Sequence, residues 1–310
     1  MAGNRPLMVI LGPTAVGKTG LAIDLAEQFN GEIINADSRQ VYRYMDIGTA
    51  KPTIDQLARA AHHLLDIVDP DDNLALAQYQ RMAYETIDAL HNQGKLPLLV
   101  GGTGQYITAV IEGWRIPEVA PNESLREKLE AVALEQGSAV LHERLARLDP
   151  EAASRIHHRN VRRVVRALEV CLETGQRVSE LQRKVPPPYR LLQFGLTTER
   201  EGLYDAADAR FDDMMRRGFL NEVRGLLDRG YSSSLPSMSG IGYAQLSAHL
   251  VDGIPLDEAI TAAKNLTHDF IRRQYTWFRG HDSGILWHNR EQIDAAEIST
   301  AVTRWLHQRS

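Results

Sequence analysis

GPTAVGKT, residues Gly12 to Thr19, follows the apolar run Leu7-Met8-Val9-Ile10-Leu11 and precedes a segment whose Leu21, Ala22, Leu25, Ala26 and Phe29 recur at helical spacing. It fits G-x-x-x-x-G-K-[ST] at every fixed position. In that pattern a glycine-rich turn points backbone N–H groups into an anion cradle, the lysine reaches the terminal phosphates, and the last hydroxyl ligates Mg2+. An apolar strand, this loop and an amphipathic helix in that order read as the first βα unit of a phosphate-loop sheet. Gly12, Pro13, Thr14, Ala15, Val16, Gly17, Lys18 and Thr19 are the expected phosphate-binding residues, with Thr19 as metal ligand. The cradle alone leaves kinases, GTPases, ATPases and some transferases open.

Outward from the loop, residues 32–37 read as a second strand ending in the carboxylate of Asp37. Residues 63–67 read as a short strand, 74–92 as a helix closed by Gly94, and 96–100 as another buried strand. This alternation predicts a parallel sheet with ligands at the carboxyl ends of its strands, so Asp37 and the Gly101-Gly102-Thr103 turn should converge on the loop. From about Pro121 the alternation stops. Consecutive helices follow, broken at Asp149-Pro150 and Thr174-Gly175, until the stiff Pro186-Pro187-Pro188 connector. Strand character returns at 189–196, helices are expected at 200–217, 219–229 and 256–279, a last strand at 284–288, and a final helix. The expected class is α/β, a phosphate-loop NTPase-like parallel sheet flanked by helices (1–120 and 189–310), with an all-helical insertion domain (121–188).

The 310-residue chain has ordinary apolar (43%) and charged (24%) content for a globular protein and no window near the roughly 18 apolar residues that span a bilayer. A single cysteine, Cys171, excludes a disulfide or a Cys-based zinc site within the chain, and a reducing cytoplasm is expected. A net charge of −5 argues against a wholly basic body. Locally, however, RIHHRNVRRVVR carries Arg155, Arg159, Arg162, Arg163 and Arg166 without an acid. Asn160 can cap a helix with Val161, Val164, Val165, Leu168 and Leu172 on one face and Arg162, Arg163 and Arg166 opposite. That stripe is either a solvated face near acids such as Glu169 or a nucleic-acid contact; Arg155 and Arg159 join it if the helix begins before the cap.

Two absences narrow the reaction. The strand LPLLV ends in GGTGQY rather than in the aspartate that brings metal to a phosphate-loop kinase, and no N-K-x-D reads guanine. Asp37 has the placement of a general base, and equally that of a Mg2+ ligand or a turn cap. Thr103 either bonds a phosphate or Asp37, or caps the next helix.

GPTAVGKT, NADSRQVYRYMDIGTAKP, LLVGGTGQY, RALEV, SGIGYAQ and RRQYTWFRG occur in the order found in bacterial tRNA dimethylallyltransferases, the tRNA isopentenyltransferases, which the chain resembles from about residue 8 to 280. The resemblance implies that the loop, of the nucleotide-binding, ATP-binding type, holds the diphosphate of dimethylallyl diphosphate as a leaving group, with Mg2+. It matches Asp37 to the family's general base and Lys18, Thr103 and Arg210 to its other catalytic positions. tRNA-contacting surfaces match Asp37, Ser38, Arg39 and Gln40; Arg162, Arg163, Val164, Val165 and Arg166; Gly240, Ile241, Gly242, Tyr243, Ala244 and Gln245; and Arg272, Arg273, Gln274, Trp277 and Arg279. The implied reaction prenylates the adenosine 3′ of the anticodon, and the insertion is the expected clamp for the anticodon stem-loop. A monomer without membrane association is expected. Where the family carries a basic residue before RRQ, this chain has His268 followed by Asp269, which puts tRNA contacts there in doubt. The chain ends without the zinc finger of eukaryotic members, and a bacterial source is expected. Two other readings stay open from the residues: an ATP-dependent small-molecule kinase with the insertion as lid, and a non-catalytic RNA-binding switch.

Overall fold

Strand β1 (Arg5–Leu11) is buried from Leu7 onward, and its successive side chains go to opposite layers. Leu7, Val9 and Leu11 join one core with Ile34, Leu99, Tyr79 and Phe219, while Met8 and Ile10 join another with Leu98, Ala22 and Val302. The chain is described here from a computed structural model covering residues 5–308 except Glu118, Ala120, Pro121, Gln182, Asp282 and Ser283. After β1 come α1 (Lys18–Gln28), β2 (Gly31–Asn35), α2 (Ile54–Arg59), β3 (His62–His63), α3 (Leu76–Asn92), β4 (Leu96–Gly101) and α4 (Gly104–Glu112). All neighbouring strands are parallel, in the order β3-β2-β4-β1-β5-β6, with β5 at Tyr189–Thr197 and β6 at Ile285–Asn289. The strand order reverses beside β1, and β4 lies against it, so the loop after β1 and the Gly101-Gly102 turn share one crevice.

The chain divides into two units, residues 1–111 with 188–310, and residues 112–187. The second unit starts at Glu112, ahead of the expected boundary at Pro121, which lies outside the described residues. It contains α5 (Glu123–Glu135), α6 (Ser138–Leu148), α7 (Pro150–Arg155), α8 (Val161–Thr174) and α9 (Val178–Leu181). Asn160 caps α8 by accepting the Arg163 N–H at 3.4 Å, and Gly175 ends it in the left-handed region. α8 buries Val164, Ala167, Leu168 and Cys171, an i, i+3, i+4, i+7 series, together with Val165, Glu169 and Val170. Leu172, expected on that face, is 51% exposed near the end of the helix. Because α8 starts only at Val161, Arg155 and Arg159 do not join its stripe.

In the first unit α10 (Arg200–Arg216), α11 (Phe219–Asp228), α12 (Tyr243–Asp252) and α13 (Leu256–Gly280) precede β6, and α14 (Ala295–His307) closes the described chain. Three expected strands shift. The second stops at Asn35, two residues before Asp37; the short one shrinks to His62–His63; the last runs one residue later, Ile285–Asn289. Helices α2 and α12, unread in the sequence, are short and follow polar segments.

Candidate active site

The cradle is built by glycine where a side chain cannot fit. Gly12 has φ +145, and a Cβ there would lie 2.5 Å from the Leu196 carbonyl oxygen. Ala15 holds φ +65 without being glycine. Val16 turns its side chain away, fully buried beside Leu196, Leu203, Ala207 and Ile271, so only its backbone can serve a ligand. Lys18, at the start of α1, donates to the Pro13 carbonyl at 2.7 Å, and Arg210 of α10 donates to the Thr14 hydroxyl. Burial brings Lys18 down to about 8, with Asp37 opposing and Arg210 reinforcing the shift. Burial also lowers Arg210, against the attraction of Asp37. Two desolvated cations and one carboxylate therefore feel one another across the crevice.

Asp37 is held by its neighbours. Asn35 Oδ1 accepts the Asp37 N–H at 3.0 Å, and Asp37 Oδ1 accepts the Arg39 N–H at 2.9 Å. Among the described residues its other oxygen has no hydrogen bond. Thr103 Oγ1 accepts the Ser38 N–H at 2.9 Å and donates to Ser38 Oγ at 3.3 Å, so its hydroxyl secures the Asp37–Ser38 turn rather than capping α4.

Two cavities share Thr14, Asp37, Thr49, Arg210 and Met214. One, about 410 Å³, is lined on the loop side by Lys18, Thr19 and Gly101. The other, about 470 Å³, is lined by Ser38, Arg39, Thr103, Ile241, Phe270, Arg273 and Trp277. Asp37 thus stands where a phosphate-side space and an aromatic, basic space meet. Thr19 and Asp37 present hard oxygen donors to the first cavity, and no cluster of three metal-ligating side chains exists among the described residues. That donor set suits Mg2+, which takes few protein ligands and fills the rest from phosphate and water.

Several residues matched to tRNA contacts also make contacts within the protein. Gln274 is 5% exposed and bridges the site internally, accepting the Thr14 N–H at 2.9 Å and donating to the Gly102 carbonyl at 2.8 Å. A Cβ on Gly102 would sit 2.5 Å from that amide, which explains the second glycine of the turn. Tyr243 is buried, with its hydroxyl on Glu222 at 2.6 Å, and Gly240 and Gly242 are buried beside it. Gln245 accepts the Gly242 N–H, while Ala244 is half-buried. Gln40 donates to the Thr49 and Ala50 carbonyls. Arg272 pairs with Asp269, Arg279 lies 5.7 Å from the Tyr275 ring, and neither lines the cavities. His268 bonds Asp208 at 2.9 Å and stacks on Tyr204.

In the insertion, Val164 and Val165 are core residues, 0% and 3% exposed, and offer no side chain to a partner. Arg166 is not free either. The Glu169 carboxylate, fully buried, accepts from Arg126, from the Asn122 N–H and from Arg166, which keep its pKa below the usual range despite desolvation. Glu169 is thus a buried anchor rather than a neighbour on a solvated face. Arg162 and Arg163 remain exposed.

The residues that support the site carry no local pattern. Glu222 accepts the N–H groups of Asp46, Ile47 and Gly48, fixing the segment after Asp37. Arg290 donates to the Ala15 carbonyl from 275 positions away. A carboxylate at the start of α11 and a lone arginine after β6 carry no local signature.

A parallel sheet whose first strand feeds a glycine-built anion cradle defines a phosphate-loop protein. The IPP transferase family model matches residues 40–281. The tRNA dimethylallyltransferase of Roseiflexus castenholzii is 54% identical over 274 residues, covering 88% of this chain and 90% of that one. That of Dehalococcoides mccartyi is 47% identical over 301 residues, 97% and 93% of the two chains. The full-length tRNA isopentenylpyrophosphate transferase of Bacillus halodurans superposes with a TM-score of 0.73 at 40% identity, covering 97% of each chain. A eukaryotic dimethylallyltransferase acting on tRNA gives 0.82 at 27% identity, covering 97% of this chain and 79% of that one. The chain belongs to the IPP transferase family.

Proposed function

We propose that this protein is a tRNA dimethylallyltransferase that moves the dimethylallyl group of dimethylallyl diphosphate onto the exocyclic N6 of the adenosine immediately 3′ of the anticodon, releasing diphosphate. The observation that carries the reading is the meeting of the two cavities at Asp37, Thr14 and Arg210. The loop-side cavity suits a diphosphate, and the other, with Phe270, Trp277, Arg39 and Arg273, suits a base taken out of its stack.

The chemistry follows from the charges. The adenine amine is a weak nucleophile, since its lone pair is delocalised into the ring. A new C–N bond forms at the primary allylic carbon as its C–O bond to diphosphate breaks. The amine proton passes to the free oxygen of Asp37, a step worth roughly 10²–10⁴-fold for a positioned base. Lys18, Arg210 and the loop N–H groups neutralise the charge that grows on the departing oxygen. Thr19, with Asp37 nearby, would hold Mg2+, which supplies further neutralisation of the diphosphate. Thr103 and Asn35 keep Asp37 in register. In this reading the protein works as a monomer in the cytoplasm; among the described residues no helix is long and apolar enough to cross a membrane.

The test is incubation with labelled dimethylallyl diphosphate and an unmodified tRNA bearing adenosine after the anticodon. Label should enter RNA and map to that nucleotide. Label that stays with the donor, or ATP turnover without RNA, would sink the reading.

A further inference from the structure

The insertion's charge is arranged against its own helix. α8 carries Arg162 and Arg163 in its first turn, with no acid there, although the positive end of a helix dipole disfavours cations. Both are exposed, as is Arg159 just before the cap. Among the described residues none of the three makes an ion pair, whereas Arg155 is paired with Glu151 and Arg166 with Glu169. The dipole thus disfavours Arg162 and Arg163 where they stand, and an external anion at this end would offset that.

Beside them lies an aromatic surface. His157 and His158 stack with ring centroids 4.4 Å apart and planes 30° apart, and His142 meets His158 edge-on at 6.5 Å. The rings are held in place: His157 Nδ1 accepts the Arg159 N–H at 3.2 Å, and His158 Nδ1 lies 3.3 Å from the Ser138 hydroxyl. His158 covers one face of the His157 ring, and His157 is exposed. Bound at Nδ1 as an acceptor, a neutral His157 carries its proton on Nε2.

We propose that this edge of the insertion, His157 stacked on His158 and flanked by Arg159, Arg162 and Arg163, is a stacking contact for an unpaired nucleobase of the RNA substrate, the arginines taking its neighbouring phosphates. The proposal rests on tRNA being the substrate. Unpaired bases stack on aromatic side chains, histidine included, with little sequence preference. The phosphates supply the counter-charge that α8 lacks. An acidic protein surface would answer the arginines but would leave the ordered imidazole pair without a purpose.

The experiment measures equilibrium binding of an unmodified anticodon stem-loop RNA to the full chain over a salt series. His157→Ala should weaken binding by roughly tenfold, within the range for one base stacked on a side chain, while the slope against salt stays that of the wild type. His157→Phe should restore affinity, since it keeps a ring and removes only the polar edge. Arg162→Ala with Arg163→Ala should instead flatten the salt slope by about one to two. Inorganic diphosphate should bind all variants equally. Wild-type affinity in His157→Ala, or a His157→Phe variant as weak as His157→Ala, overturns the stacking contact while leaving tRNA as substrate intact. A wild-type protein that binds no RNA brings down the substrate reading itself, and the contact with it.

Discussion

Lys18 and Arg210 in the core carry the same charge as Arg162 and Arg163 in the insertion, under opposite solvation. The core pair is desolvated enough to depress both pKa values, and each cation rests on a loop oxygen. The insertion pair is exposed at a helix end and makes no ion pair among the described residues. Desolvated cations interact strongly over short range with whatever anion enters, so each one counts and salt screens it little. Exposed cations act weakly, additively and under the control of ionic strength. The core arrangement suits transition-state charge; the insertion arrangement suits steering and holding a polyanion. Arg166 belongs to neither kind, because its guanidinium is committed to buried Glu169.

The comparison breaks first at Asp37. Asp37→Asn keeps the shape and the Arg39 N–H contact but removes the proton acceptor proposed above, so single-turnover transfer should fall by roughly 10²–10⁴-fold with donor and tRNA still bound. Measured across a Mg2+ series at saturating substrates, the rate should stay low. Substantial recovery at high Mg2+ would make Asp37 chiefly a metal ligand.

Next in size is a change in stability rather than in catalysis. Arg126→Ala deprives the buried Glu169 carboxylate of the guanidinium that reaches both its oxygens. The cost should be about 2 kcal/mol, below the range for fully buried pairs because Arg126 is itself 29% exposed. Arg163→Ala, in thermal or denaturant unfolding, should stay within about 0.5 kcal/mol. Equal losses would erase the distinction between braced and free arginines in the insertion.

Lys18→Ala should weaken diphosphate binding by roughly 10–100-fold, the scale of a charge-assisted hydrogen bond lost. A pH series sharpens this. A diphosphate bound at Lys18 would pair with the protonated amine, which is present below about 8 and lost above it, instead of persisting to 10.5 as in an ordinary lysine. Calorimetric affinity for inorganic diphosphate should therefore fall as pH rises through that value, and Lys18→Arg, charged throughout, should flatten the profile. A wild-type affinity constant to well above pH 8 would show that Lys18 is not desolvated. The smallest effect is expected from Arg162→Ala with Arg163→Ala: a several-fold higher Michaelis constant for tRNA at low salt, converging on wild type as salt rises, with donor kinetics unchanged. A gap that persists at high salt would assign the arginines a buried role after all.

Elements whose causes are local could be read along the chain. The apolar run before Gly12, the helical spacing after Thr19 and the alternation up to β4 specify a parallel phosphate-loop sheet, because side-chain periodicity decides which faces can be buried. Glycines at fixed offsets specify the cradle, because Gly12 and Gly17 hold φ values that side chains rarely adopt. The Asn160 cap and the Gly175 stop of α8 were legible for the same reason. Tertiary structure decided what depends on partners far along the chain. It made Gln274, an expected RNA contact, the bridge between Thr14 and Gly102, 260 and 172 positions away. It exposed Leu172, which periodicity had put on the apolar face, and it committed Arg166 to a carboxylate that packing had buried. It set Thr103 on Ser38 and drew Arg210 to Thr14 across 196 residues. A motif names the atoms able to do chemistry, but desolvation and hydrogen bonding assign them their roles, and both are properties of the neighbours that folding brings together.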